Sequence, residues 1–321
     1  MTKIDIFSGF LGAGKTTLIR KLLADGYDKE KIVLIENEFG EIGIDRGFLS
    51  DAGVEITEMN SGCICCTLVG DFAEAMKKVI AEYAPDRIII EPSGVGKLSD
   101  VAKAAAGVEG VQIDSMVAVV DPRKCRMYME NFGEFYSDQI ESAGTIVVSH
   151  GDNVDDDTLA EAFDIIKEHN ADAPVVATAW DALSGSQIMA EFKPGKEYAP
   201  KHDHGTDCTC GCHDHDHDHD HDHHHHGHDH HHADEIFDSV GIETIRKFTE
   251  EDIAGILEGF EAKPNILRAK GMVQSKNGGW IFFDYVPGTK DIREGSAQTV
   301  GKACVIGTGL DEAEIKGVFS L

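Results

Sequence analysis

GFLGAGKTT, residues 9–17, fits the pattern G-x-x-x-x-G-K-[ST] through Gly9, Gly14, Lys15 and Thr16. The strand-like run KIDIFS precedes it, and a helix-length amphipathic segment, Thr16–Ala24, follows it. Strand, glycine loop and helix in that order aim backbone N–H groups and a helix N-terminus at a phosphate. Gly9, Gly12, Ala13 and Gly14 form the cradle, Lys15 is placed to bridge β- and γ-oxygens, and the Thr16 hydroxyl is placed to bind Mg²⁺.

Outward from this loop, short β-branched runs alternate with helical segments as far as about Phe192. The runs are KIDIFSGF, KIVLIENE, RIIIEPSG, SMVAVVD, TIVVSH and APVVATA, and the helical segments include Thr16–Ala24 and Gly70–Tyr83. Such alternation predicts an α/β fold: a P-loop domain with a mostly parallel sheet covered by helices on both faces. After Asp238 the order is strand, helix, two strands around SKNGG, then strand and helix, which predicts a small α+β C-terminal domain. The expected domains are 1–195 for nucleotide, 196–235 as a disordered linker and 236–321 for the α+β unit.

With 321 residues, 41% apolar, the chain can bury more than one core, and it has no apolar run of the ~18 residues a membrane span requires. The N-terminus has no signal-like pattern, so the expectation is a soluble, cytoplasmic protein without membrane contact. A formal net charge of -29 argues against nucleic acid as a partner and favours cations.

Two further elements complete the nucleotide reading. RIIIEPSGV ends a strand at Glu91, placed to orient Mg²⁺, and then offers the amide of Gly94 to a γ-phosphate. Lys15 and Glu91 are therefore the candidate catalytic residues. TIVVSHGDN offers Asp152, whose carboxylate can accept from both the N1–H and the exocyclic amine of guanine, although an ordinary loop aspartate is the plain alternative.

NSGCICCTL, residues 60–68, sets Cys63, Cys65 and Cys66 on one short loop. Three thiolates fill three corners of a tetrahedral Zn²⁺ site, leaving the fourth open, which suits a metal that must leave. Cys63 and Cys66 also form a C-x-x-C pair, but the thioredoxin-like pattern that a redox role requires is missing around it. Upstream, IENEFGEIGID carries Glu36, Glu38, Glu41 and Asp45 in a stretch placed like a switch loop, with solvated acids as the plain alternative, preferred for Glu38. Cys125 and Cys304 read as inert core thiols.

These motifs together resemble the CobW-type family of P-loop GTPases, relatives of the urease- and hydrogenase-maturation GTPases that act as metal chaperones or insertases. The resemblance rests on SGFLGAGKTTL, IENEFGEIGID, NSGCICC, IIIEPSGV, RAKGMV and VIGTGLDEAEI, and covers almost the whole chain outside the histidine tract. It implies that Gly12, Gly14, Lys15, Thr16 and Thr17 hold GTP and Mg²⁺, that Cys63, Cys65 and Cys66 hold a transferable metal, and that Glu36 and Glu41 add ligands. One departure stands out: His150 replaces the lysine that the family usually places two residues before the guanine-binding aspartate. Asp152 is retained, so GTP remains the expected nucleotide.

All but two of the 17 histidines lie in His202–His232, interleaved with aspartate and preceded by Cys208, Cys210 and Cys212. The tract cannot bury enough apolar surface to order itself, but its ligand density suits metal loading, with Cys208, Cys210, Cys212, His213, His215 and His217 as the first candidates. Thiolates favour Zn²⁺, while Co²⁺ and Ni²⁺ stay open. The expected function is a GTP-hydrolysing metallochaperone, with a client metalloprotein and a nucleotide- or metal-dependent homodimer as possible partners. The alternatives are a cobalt or nickel insertase, including cobalt delivery for a corrinoid, and a His-rich metal store.

Overall fold

The computed structural model describes residues 1–27, 30–36, 55–58, 69–151, 154–198 and 236–320. Seven parallel strands make the first sheet, in the order β3-β2-β4-β1-β5-β6-β7. They are β1 (Thr2–Ser8), β2 (Ile32–Glu36), β3 (Glu55–Glu58), β4 (Arg87–Glu91), β5 (Val111–Val120), β6 (Thr145–Val148) and β7 (Val175–Val176). The covering helices are α1 (Lys15–Asp25), α2 (Val69–Tyr83), α3 (Leu98–Ala106), α4 (Cys125–Ser142), α5 (Asp156–His169) and α6 (Gly185–Met189).

The near-continuous apolar runs are explained by burial on both faces. Ile4, Ile6, Val33, Ile35, Ile88 and Ile90 pack into the core beneath α2–α5. Phe7, Leu34, Ile89, Val117 and Val119, alternating with them, meet Leu18, Ile19 and Leu22 of α1 on the other face. The sheet therefore separates two core layers, and its strands' carboxyl ends form one edge.

The second sheet is built from β8 (Asp238–Thr244), β9 (Lys247–Phe248), β10 (Ile266–Ser275), β11 (Trp280–Val286), β12 (Thr289–Gly295) and β13 (Gly301–Gly307). Its order is β12-β11-β10-β13-β8, antiparallel along that path, with β9 parallel to β10. Helices α7 (Glu250–Glu261) and α8 (Glu312–Phe319) cover one face, where Ala269, Val273, Ile281, Phe283 and Val305 pack against Leu257, Phe260 and Phe319. Thr249 and Asp252 form a capping box that starts α7 where the sequence expects a helix.

Two strands escape the sequence reading. EITE, which forms β3, has one apolar residue between acids, and TKDIREG, which forms β12, has one apolar residue among charges. Neither carries a hydrophobic period, and both form through pairing to a neighbouring strand.

The other face of the second sheet docks on the first domain through an aromatic cluster. Phe10, inside the glycine loop, lies 4.4 Å from Tyr128 and 5.4 Å from Phe132 between ring centroids, and Phe237 lies 5.4 Å from both Phe132 and Phe135. Met272, Phe282, Cys304 and Ile306 join the same buried cluster. Cys125 and Cys304 are buried thiols, and burial pushes the Cys125 thiol up, in keeping with inert core residues.

Candidate functional site

The glycine loop follows β1 directly, and its apolar residues anchor it. Phe10 and Leu11 are buried, and Tyr128 donates to the Leu11 carbonyl at 3.2 Å. Gly14 caps α1 with φ 100°, a left-handed conformation that favours glycine, and Trp180 packs against it, 3.3 Å from where a Cβ would stand. The N-terminus of α1 thus opens into the loop, with Ala13 buried behind it.

Lys15 is 5% exposed and donates to the Gly9 carbonyl at 2.8 Å and the Phe10 carbonyl at 3.4 Å. Its ammonium is thus held over the loop, where its charge is poorly screened by water. Thr16 donates its hydroxyl to the Glu91 carboxylate, with oxygens 3.0 and 3.2 Å away. A threonine hydroxyl and a strand-end carboxylate side by side are the hard oxygen donors a Mg²⁺ ion takes in such a loop, so these residues fit that ion. Gly94 backs onto the loop as well, with no room for a Cβ against Leu11.

Gly12, Gly14, Lys15, Thr16, Thr17 and Glu91 line one cavity of about 490 Å³, together with Arg20 and His150. His150 follows β6 with φ 54°, a left-handed conformation, and lines that cavity. Sequence reading singles out Gly12, Gly14, Lys15, Thr16, Thr17 and Glu91 among these and names His150 only as a departure from the family pattern; it does not single out Arg20. It misses the opposite wall, made by Arg268, Lys270, Asp284, Val286, Asp291 and Arg293 of the second sheet. Their signal is the charge at alternate positions of β10–β12, which in sequence looks like any solvent-facing side.

Glu36 ends β2, is 6% exposed, and stands in register with Glu91 of β4 and Glu58 of β3. The segments 37–54 and 59–68, which carry Glu41, Cys63, Cys65 and Cys66, follow the ends of β2 and β3. Those four residues lie outside the described residues, as do Asp152, Cys208, Cys210, Cys212, His213, His215 and His217.

A parallel sheet whose first strand runs into a glycine loop and helix, with a strand-end acid on the loop threonine, is a P-loop nucleotide-binding fold. Residues 3–177 match the model described as CobW/HypB/UreG, nucleotide-binding domain, and the chain belongs to that family. It is 34% identical over 155 residues to the zinc chaperone YeiR of Escherichia coli (strain K12), covering 47% of each chain. It is 32% identical over 223 residues to the zinc chaperone CobW of a Sinorhizobium species, covering 60% of this chain and 63% of that one. Identity to the zinc-regulated GTPase metalloprotein activator 1 of Schizosaccharomyces pombe is 27% over 198 residues, covering 58% and 48%. The alignments span less than two thirds of each of these relatives.

Proposed function

We propose that this protein is a GTP-hydrolysing zinc chaperone, in which nucleotide turnover at the glycine loop changes the hold of Cys63, Cys65 and Cys66 on a transferable ion. The observation that carries the reading is the pairing of Thr16 with Glu91 beside Lys15, in a family whose similar members are named as zinc chaperones and a zinc-regulated GTPase.

In this account Thr16 and Glu91 hold Mg²⁺, which neutralises charge on the phosphates when bound. The Lys15 ammonium leaves its carbonyl partners for β- and γ-oxygens, and the amides of Gly12–Thr17 cradle the phosphate chain. Glu36 and Glu91 sit side by side on neighbouring strands, so the segments that follow Glu36 and Glu58 begin beside the nucleotide. Cys63 follows Glu58 by five residues of sequence, and in this reading the γ-phosphate acts on the cysteines through that connection. The ion is cargo, and a client metalloprotein receives it.

The test is GTP hydrolysis by metal-stripped protein across a Zn²⁺ titration, with Co²⁺ and Ni²⁺ in parallel, beside Lys15→Ala and Cys65→Ala. The expected result is hydrolysis lost by about 100-fold or more in Lys15→Ala and metal stimulation lost in Cys65→Ala. Hydrolysis indifferent to every metal would overturn the coupling.

A further inference from the structure

The second sheet presents to the glycine loop a face unlike the one it presents to α7 and α8. Lys270 pairs with Asp284, and Asp284 with Asp291; Arg293 pairs with Phe282. Arg268 falls opposite Val286, one position beyond the Ala269–Tyr285 pair. Val286 touches the loop itself: a Cβ built on Gly12, where φ is 70°, would stand 2.6 Å from its Cγ1. Arg268 is therefore the next side chain on the sheet from the point of contact with the loop.

Charge around the cavity runs against the rest of the molecule. Lys15, Arg20, Arg268, Lys270 and Arg293 face Glu91, Asp284 and Asp291 there, whereas the chain as a whole has 29 Lys and Arg against 58 Asp and Glu. Lys270 is 3% exposed, so its charge is carried at a desolvation cost. Burial holds the Arg293 guanidinium below its ordinary value; Asp284 opposes this, and Arg20 adds a smaller push in the same direction as burial. Asp284, 3.4 Å from Arg268, and Asp291, bonded to Arg293, keep both guanidinium groups oriented on this wall.

We propose that the phosphate chain of the nucleotide is closed between the two domains, with Arg268 and Arg293 of the second sheet donating to oxygens of its terminal phosphates. This rests on reading the glycine loop as a nucleotide site. Each guanidinium presents a planar fork that exchanges a carboxylate for phosphate oxygens, and Lys270 adds charge beside them. The second domain then senses whether a triphosphate or a diphosphate is bound, because the docked sheet and the loop share the Phe10 cluster.

The experiment measures affinity of the full chain for fluorescent GDP and for a non-hydrolysable GTP analogue, at several salt concentrations. The variants are Lys15→Ala, Arg268→Ala, Arg268→Lys and Arg293→Ala, each also followed by melting without nucleotide. Arg268→Ala and Arg293→Ala are expected to weaken the triphosphate analogue about tenfold or more, GDP less, with a shallower salt dependence and partial recovery in Arg268→Lys. Should Arg268→Ala fail to fold, Arg293→Ala on the edge strand carries the same test. Both affinities within about twofold of wild type, with binding lost in Lys15→Ala, would overturn this proposal alone. Wild-type binding that Lys15→Ala leaves intact would overturn the nucleotide site itself.

Discussion

Lys124 is a cation in a place that does not favour one. It follows β5 after Asp121, is 6% exposed, and its Nζ meets no hydrogen-bonding partner among the described residues. Burial pushes its ammonium down to about 8; Arg123 adds to this, while Asp121 and, from the second domain, Glu261 and Asp284 oppose it. An unfolded lysine titrates near ~10.4, so between pH ~8 and ~10.4 the unfolded chain binds a proton that the folded one lacks. Stability attributable to Lys124 therefore rises with pH across that window and is lost as pH falls through about 8. Denaturant midpoints at pH 7 and 9.5 test this: Lys124→Met should be the more stable at pH 7, and its advantage should shrink at 9.5. The residue scale is also where the sequence was most legible. Lys15 and Thr16 could be read because their chemistry needs them at fixed offsets from two glycines, whereas Lys124 has no motif and reveals itself only by burial.

Among the elements, β1 and β4 are joined by more than their ladder. Asp5 is 1% exposed at the centre of β1, accepting from Arg87 at 2.6 Å, Ser115 at 2.6 Å and Tyr27 at 2.6 Å. Arg87 also bonds Glu30 and, at 2.9 Å, Asp114, and its guanidinium lies 5.2 Å from the Tyr27 ring centroid. Its acidic partners hold Arg87 above its ordinary value against the cost of burial. Arg87→Met leaves Asp5 buried with its positive partner gone and should cost about 3–5 kcal/mol in denaturant unfolding, much of it recovered in Arg87→Met/Asp5→Leu. A loss under about 1 kcal/mol would show that Ser115 and Tyr27 suffice for the carboxylate. This network holds in register the two strands that position the glycine loop and Glu91. Sequence reading found these strands from their isoleucine runs. It did not find β3 or β12, whose residues acquire strand structure from a neighbour, or the loop-facing side of β10–β12, since interface and solvent faces alternate alike until the sheet is docked.

At the scale of the whole molecule, a P-loop domain and an α+β domain share one buried aromatic cluster, and the glycine loop runs through it. Among the described residues no helix is long and apolar enough to cross a membrane. The two-domain pattern was legible because its periodicity changes after the histidine tract; the closure of one domain over the other's loop was not, because it depends on packing between residues far apart in sequence. Energetic coupling between the proposed nucleotide and metal sites makes their effects reciprocal. Zn²⁺ affinity measured by chelator competition, in the nucleotide-free, GDP-bound and GTP-analogue-bound protein, tests it most directly. The affinity is expected to differ between the GTP-analogue and nucleotide-free states by about five-fold or more, matched by the same factor in nucleotide affinity with and without Zn²⁺, and the difference to be abolished in Cys65→Ala. Equal Zn²⁺ affinity in all three states would contradict it.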